Sequence, residues 1–193
     1  MTEKLDLSKT ALVMIDLQKG IAAREGLAPY SAQDVLAKNE TLMEPLKNTE
    51  ALIVFVHVKN YGDEALKPIA DAAPRAAGNM PADFSDFVSP VAYDGSVKNV
   101  IHVTKHNWGA FYGTDLDVQL RRRGIETIIL TGVATTIGCD TTAREAYQHG
   151  YNVVAVEDAM TDFNADLHTA IVNSIFKRLG RVRSTEEVLE MLR

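Results

Sequence analysis

Residues 11–18 have the sequence Ala-Leu-Val-Met-Ile-Asp-Leu-Gln, in which an apolar run ends in an acid. The residues before Asp16 do not alternate between apolar and polar types, and two of them, Val13 and Ile15, are β-branched. An unbroken apolar run of this length is typical of a strand that is buried on both faces, as in a parallel sheet. The stretch therefore predicts a parallel sheet with Asp16 at the carboxyl end of one strand.

Similar runs recur along the chain and predict an α/β fold. Four more short segments rich in Val and Ile are Ala51–Val58, Asn99–Val103, Ile125–Leu130 and Asn152–Val156. Segments with helical spacing separate them, so strand and helix alternate in βαβ units of a doubly wound sheet. A chain of 193 residues suits one domain over residues 1–193, because single cores usually subdivide only above ~250 residues.

The predicted helices have recognisable ends. Ser31-x-x-Asp34 is a near capping box at the start of a helix that runs to Asn48. A later helix begins at Ala165 and stops at Gly180, and Ser184 opens the last one. No strand is predicted between these two helices.

Composition and charge exclude several classes of partner. The net charge of −6 argues against a general affinity for nucleic acid or for an anionic membrane. The single cysteine, Cys139, rules out an intrachain disulfide and suits a reducing compartment. The N-terminus lacks the features of a secretion signal, and no apolar run approaches the ~20 residues of a membrane span. We therefore expect a cytoplasmic protein without nucleic-acid or membrane partners.

Residues Asn60–Lys98 interrupt the alternation of strands and helices. They contain four of the six prolines and no long periodic segment. An excursion of this length is usually functional or partly helical. The sequence leaves open whether it forms a lid or a contact between subunits.

Three strand ends carry residues with reactive or ligand-binding groups. Asp16 ends the first run, Lys105 ends the third, and residues 132–139 (Gly-Val-Ala-Thr-Thr-Ile-Gly-Cys) lie between the fourth run and a helix. Open α/β sheets bind ligands at this edge. Burial raises the pKa of a carboxyl group, whereas an ammonium within ~4–6 Å lowers it. Backbone amides at the start of a helix can hold an oxyanion, and Cys139 there is either an activated nucleophile or a packed core thiol.

The loop after Lys105 and the second strand supply further candidates. Trp108, Phe111 and Tyr112 either wall a pocket for a small planar ligand or pack the loop. His57 either contacts the substrate or is an ordinary edge histidine. The segment after the second strand has one histidine and no repeated ligand spacing, so we expect no metal and no cofactor.

These segments resemble the isochorismatase-like hydrolase superfamily, from residues 11–18 to residues 181–187. The resemblance implies a Rossmann-like, three-layer fold with six mostly parallel strands, a small-molecule substrate, and a homodimer or larger homo-oligomer. The amidases of the superfamily use an Asp–Lys–Cys triad, whose first two members correspond to Asp16 and Lys105. The resemblance also implies a cis peptide bond between Val133 and Ala134, before the turn that faces the substrate.

The third triad member departs from the amidase pattern. In the amidases the run is Gly-Val-x-Thr-x-x-Cys, with Thr-Ala four and five residues after the cysteine. Counting forward from Thr135 and back from Thr142 places Gly138, not Cys139, at the nucleophile position. A shift of one residue turns a helical side chain by ~100°, so Cys139 need not face the site.

Three functions follow from this departure. The first is hydrolysis of the isochorismatase type, in which Asp16 is the acid, Lys105 is its electrostatic partner and no covalent intermediate forms. The second is a cysteine amidase of the nicotinamidase or carbamoyl-amide type that uses Cys139. The third is a catalytically degenerate protein that binds a small molecule.

Overall fold

Six parallel strands form the central sheet of the computed structural model, which describes residues 4–59, 69–71 and 81–193. The strands are β1 (Thr10–Ile15), β2 (Leu52–Val58), β3 (Val100–Lys105), β4 (Thr127–Val133), β5 (Asn152–Thr161) and β6 (Gly180–Arg183). Their order is β3-β2-β1-β4-β5-β6, so the winding direction reverses between β1 and β4. The carboxyl ends of these two strands form the crevice where doubly wound sheets bind ligands.

Helices cover both faces of the sheet. The α-helices of the described residues are α1 (Lys19–Ala22), α2 (Ala32–Met43), α3 (Leu116–Arg121), α4 (Asp140–Gln148), α5 (Ala165–Ala170), α6 (Lys177–Leu179) and α7 (Thr185–Met191). A π-helical segment, Thr135–Cys139, leads into α4, and another, Ile171–Phe176, joins α5 to α6. Short 3-10 turns span Leu7–Lys9, Glu44–Leu46 and Pro90–Tyr93.

Two hydrophobic cores lie on opposite faces of the sheet. Val13 and Ile15 of β1 point into the core under α3, α4 and the α5–α6 segment. Leu12 and Met14 point into the core under α2 and α7. Every residue of β1 is buried, which explains why its sequence shows no alternation. The α/β fold predicted from the sequence is confirmed.

Helix α2 begins as its sequence predicts. The Ser31 hydroxyl accepts a hydrogen bond from the Asp34 amide, and the Asp34 carboxylate accepts one from the Ser31 amide. This capping box satisfies two amides at the start of the helix. The helix ends at Met43, earlier than predicted, because Glu44–Leu46 tightens into a 3-10 turn with Pro45 inside it.

The apolar runs do not locate β6, the sixth strand that the resemblance implies. The strand is only four residues long, Gly180–Arg183, and all four are half-buried at the sheet edge. A short edge strand with two arginines lacks the apolar run that marks the inner strands. Of the irregular segment 60–98, residues 60–68 and 72–80 lie outside the described residues, so its predicted role stays a prediction.

A bulge lengthens β5 beyond its predicted end. Leu130 pairs with Ala155, but Gly132, two residues later, pairs with Met160. The side chain of Asn39 on α2 holds this irregular stretch. It is buried, its amide nitrogen donates to the Ala159 carbonyl oxygen at 3.0 Å, and its amide oxygen accepts from the Thr131 hydroxyl at 2.5 Å.

Replacing Asn39 with Leu lowers the free energy of unfolding by about 2 kcal/mol, because the buried Ala159 carbonyl and Thr131 hydroxyl lose their partner. Urea denaturation measures the change. Thr41→Ala on the same helix alters an exposed hydroxyl and serves as the control, with an expected change below about 0.5 kcal/mol. Equal urea midpoints for the two variants would contradict the role assigned to Asn39.

Candidate active site

Asp16 is the first residue after β1, in the crevice between β1 and β4. Its amide donates to the Val56 carbonyl oxygen at 2.9 Å, which ties the end of β1 to β2. Its φ of +53° lies in the left-handed region that residues other than glycine seldom adopt. The residue is only 5% exposed, so its carboxyl group lies in the protein interior.

Lys105 reaches the same point from β3, two strands away. Neighbouring strands lie ~5 Å apart, so the lysine side chain crosses over β2 to meet Asp16. Its ammonium lies 2.8 Å from Oδ2 of Asp16 and donates to the Asn107 carbonyl oxygen at 3.1 Å. Lys105 is 2% exposed, so the ion pair is almost fully shielded from water.

The Asp16 carboxyl group is held with one oxygen engaged and one free. Burial raises its pKa to about 6, and the ammonium of Lys105 limits the rise. Among the described residues, Oδ1 of Asp16 has no hydrogen-bond partner although it is buried. Such an atom is rare in a folded protein and is suited to carry a proton or to meet a ligand.

The end of β4 and the segment that follows it approach Asp16 through two glycines. A Cβ atom on Gly132 would lie 2.1 Å from the Ile15 carbonyl oxygen, and its φ is +122°, so only glycine fits there. The Val133–Ala134 peptide bond is cis. A Cβ atom on Gly138 would lie 2.8 Å from Cγ2 of Ile15 and 3.5 Å from Oδ2 of Asp16. The backbone of Gly138 therefore packs directly beside the carboxyl group.

Cys139, the next residue, points into the core. It is fully buried among the apolar residues between the sheet and α4, and its Sγ lies 3.7 Å from the Thr131 carbonyl oxygen. Burial raises the pKa of the thiol well above its usual value. The structure thus brings Asp16, Lys105 and Gly138 together, and Cys139 is buried in the core near both charges, as a thiol whose pKa is raised by burial and by the Asp16 carboxylate.

The aromatic candidates occupy two different environments. The Trp108 and Tyr112 side chains are 65% and 71% exposed, and the Trp108 carbonyl oxygen would lie 3.5 Å from a Cβ atom on Gly138. Phe111 is buried, with its ring stacked on His149 and 5.8 Å from the ring of Tyr151. The backbone at Trp108 therefore borders the site, whereas Phe111 packs in the core.

His57 already has partners for both ring nitrogens. Its Nδ1 lies 2.6 Å from the Ser85 carbonyl oxygen and its Nε2 lies 2.8 Å from the Thr104 hydroxyl. Its ring also stacks on Phe87, with the two ring centres 4.6 Å apart. A substrate would have to displace one of these contacts, and the predicted substrate contact of His57 stays a prediction.

Sequence reasoning missed several polar residues that support the site. Buried Gln18 donates to the Val58 and Phe84 carbonyl oxygens and accepts from the Val58 amide, which joins β2 to the segment before β3. Thr142 and Glu145 of α4 accept from the amides of Ala110 and Phe111 and fasten the loop after β3. Two more, Asp162 and His168, contact residues 135 and 136.

Other features of the described residues bear on what the site can hold. Within residues 4–59, 69–71 and 81–193, no group of three or more His, Cys, Asp or Glu side chains is arranged to hold a metal ion. In the same ranges, no helix combines the length and apolar character needed to cross a bilayer. Two concavities of about 430 and 340 Å³ lie at the opposite edge of the sheet, where Asn152 and Arg181 line both of them.

Comparison with known proteins places this geometry in context. The family model of the isochorismatase domain matches residues 10–187. The isochorismatase family protein YwoC of Bacillus subtilis is 45% identical and aligns over 100% of this chain and 98% of its own length. An isochorismatase family protein of Burkholderia thailandensis has a solved structure with a TM-score of 0.88 and 42% identity, covering 100% of this chain and 99% of that one. Maleamate amidohydrolase of Pseudomonas putida is 26% identical over 96% of this chain and 87% of its own length.

Replacing Lys105 with Met raises the pKa of Asp16 above about 6, because the ammonium that limits the effect of burial is lost. Carbon-13 NMR of aspartate-labelled protein follows the titration, and Asp16→Asn identifies the resonance. Lys98→Met removes an exposed lysine whose ammonium donates to the Gly95 carbonyl oxygen, so we expect it to leave the titration unchanged. An Asp16 pKa that stays the same in Lys105→Met would show that the ion pair does not act on the carboxyl group.

Proposed function

Because this chain belongs to the isochorismatase family of hydrolases, we propose that it hydrolyses a small metabolite by acid catalysis, with Asp16 as the acid and no covalent intermediate. One observation carries the proposal. The Asp16 carboxyl group is buried beside the backbone of Gly138, with its pKa raised to about 6 and Oδ1 unpartnered. A proton donor with a pKa near the working pH is the requirement of general acid catalysis.

The reaction that best fits this donor is the cleavage of an enol ether. Protonated Asp16 transfers its proton to the enol carbon, which forms a C–H bond and leaves a positive charge shared by the adjacent carbon and the ether oxygen. Water adds to that carbon and gives up a proton to Asp16. The resulting hemiketal breaks the bond between its carbon and the ether oxygen, the hemiketal hydroxyl proton passes to the departing oxygen, and a carbonyl compound and an alcohol are released.

Lys105 favours this cycle through its contact with the other oxygen of the same carboxyl group. Its ammonium lies 2.8 Å from Oδ2, so it stabilises the carboxylate that remains once the proton has left. The carboxylate in turn lies next to the developing positive charge of the substrate, which attracts it in a site of low dielectric constant. Asp16 and Lys105 thus act together in the proposed reaction.

The position of the thiol argues against covalent catalysis. An amidase nucleophile must reach the substrate carbonyl as a thiolate. Cys139 is 0% exposed, and burial raises the pKa of its thiol. Amide hydrolysis remains the second candidate because maleamate amidohydrolase is similar over most of its length. A binding protein without turnover is the third.

We propose a small substrate with few negative charges. In the part of the chain that the structure describes, the Asp16 carboxylate already pairs with the Lys105 ammonium. A substrate with two carboxylates, such as isochorismate, needs cations that are not already paired. Cytoplasmic location and a homodimer or larger homo-oligomer also belong to the proposal.

Asp16→Asn lowers kcat by about 10²- to 10⁴-fold, because the variant has no proton to donate at the reacting carbon. Cys139→Ala stays within about threefold of the unmodified chain, because no covalent step needs the thiol. Turnover of a panel of enol ethers, amides and carbamoyl compounds, followed by mass spectrometry, measures both effects, and Lys98→Met is the surface control.

The same panel separates the three candidate functions. Amide turnover that Cys139→Ala abolishes would replace acid catalysis with the amidase mechanism. Thermal stabilisation by a panel compound with no turnover of any compound would identify a binding protein. Turnover of an enol ether that depends on Asp16 but not on Cys139 supports the proposal.

The pH dependence of kcat/KM tests the protonation state of Asp16. Since the acid acts in its protonated form and has a pKa of about 6, kcat/KM is constant below that value and falls above it. The slope above it is about tenfold per pH unit. Initial rates between pH 5 and 8.5 at constant ionic strength give the profile. A rate that rises through pH 6 to a plateau would mean that Asp16 acts as a base.

A further inference from the structure

Asp162 makes three hydrogen bonds at the turn beside Asp16. It follows β5 and is only 3% exposed. Its Oδ2 accepts from both the amide and the hydroxyl of Thr136, each at 2.7 Å, and its Oδ1 accepts from the Phe163 amide at 2.7 Å. Thr136 lies two residues before Gly138, inside the π-helical segment that leads into α4. The carboxylate therefore fastens the start of this helix to the end of β5.

His168 holds the neighbouring threonine from another direction. It lies on α5, is 3% exposed, and its Nδ1 is 2.8 Å from the hydroxyl oxygen of Thr135. Thr135 is fully buried, and the ring of Tyr30 packs edge-on against the imidazole. Two consecutive threonines are thus held by side chains from two separate elements.

Burying the carboxylate of Asp162 is unfavourable unless its oxygens accept hydrogen bonds. No salt bridge of Asp162 is present among the described residues, so its three hydrogen bonds and the positive end of the helix compensate for burial. Buried polar groups whose hydrogen bonds are all formed are typical of places where a protein needs one defined geometry. Here the defined geometry is that of the segment carrying Gly138.

Gly138 packs against Ile15 with no room for a side chain. A Cβ atom on Gly138 would already lie 2.8 Å from Cγ2 of Ile15, so its backbone is packed closely on β1. Movement in the other direction, away from β1, would open a path for water to the Asp16 carboxyl group. Thr135 and Thr136 precede Gly138 in the same segment, and fixing them prevents this movement.

We propose that Asp162 and His168 are positioning residues that hold Thr136 and Thr135, so that the backbone of Gly138 stays packed beside the Asp16 carboxyl group and Cys139 stays in the core. The effect on catalysis rests on the proposed function, whereas the positions of these residues do not. We call the contacts of Asp162 with Thr136 and of His168 with Thr135 the lock. The lock closes the site from the β5 side. Lys105 and the loop that Thr142 and Glu145 fasten close it from the β3 side.

The thiol of Cys139 reports on the lock without any substrate. It is the only cysteine in the chain and directly follows Gly138. Thr135→Val removes the hydroxyl that contacts His168 and keeps the side-chain shape. Asp162→Asn places an amide group where a carboxylate accepts three hydrogen bonds. Thr169→Val, which alters an exposed hydroxyl on α5, is the matched control.

The rate at which the thiol reagent DTNB labels Cys139 under native conditions reports how often this segment opens. We expect it to increase at least about tenfold in Thr135→Val and in Asp162→Asn and to stay unchanged in Thr169→Val, because local opening costs less free energy than global unfolding. Urea denaturation of each variant gives the global change. Labelling that increases only in proportion to global unfolding, or not at all, overturns the proposal.

A second measurement separates a positioning role from a purely structural one. In both variants we expect the pKa of Asp16, followed by carbon-13 NMR, to fall from about 6 toward its ordinary value as water enters. With the substrate that the panel identifies, kcat falls at least about tenfold with KM nearly constant. Thr135→Ser, which keeps the hydroxyl, restores kcat.

The two proposals fail in different ways. Faster labelling with an unchanged Asp16 pKa and unchanged kcat would make the lock structural only and overturn the positioning role. A panel without turnover would refute the proposed function but leave the labelling and NMR measurements able to decide the lock. If one variant fails to fold, Thr136→Val takes its place in both measurements. This substitution removes the hydroxyl that donates to Asp162.

Discussion

The buried ion pair between Asp16 and Lys105 is the constraint on which the rest of the site depends. Taking two opposite charges out of water costs several kcal/mol per ion, and only close contact in a fixed geometry compensates. The sheet supplies that geometry, because Ile15 pairs with Val56 and Lys105 pairs with Val58. A slip of one residue in either pairing would turn one side chain to the other face.

Much of the site was predictable because it follows strand ends. Continuous apolar runs located β1 to β5, and the rule that ligands bind at carboxyl ends identified Asp16 and Lys105 before the structure placed them 2.8 Å apart. Comparison of Thr135 and Thr142 with the amidase pattern placed Gly138 at the nucleophile position, and a Cβ atom there would lie 3.5 Å from Oδ2 of Asp16. These inferences depend on local pattern, on the regular geometry of a parallel sheet and, for Gly138, on the resemblance to the amidases.

Other features of the fold and the site could not be predicted from the sequence, for physical reasons. The bulged part of β5 contains Glu157 and Asp158, which interrupt the apolar run, so the strand was predicted to end at Val156 and its true carboxyl end, next to Asp162, was overlooked. Strand β6 is a half-buried edge strand with arginines and has no apolar pattern to recognise. An aromatic residue in a loop does not reveal its direction, and Phe111 packs inward while Trp108 and Tyr112 face outward.

The contact between residue 138 and Ile15 also constrains how this protein can evolve. A cysteine at position 138 would bring its Cβ atom within 2.8 Å of the Ile15 side chain, so Ile15 would have to shrink or move first. Truncating a buried isoleucine to alanine costs about 2–5 kcal/mol by itself. A cysteine at position 138 is therefore accommodated only together with a rearrangement of Ile15 or a second substitution there. The packing of Ile15 thus couples the residue type that position 138 can carry to the residue type at position 15.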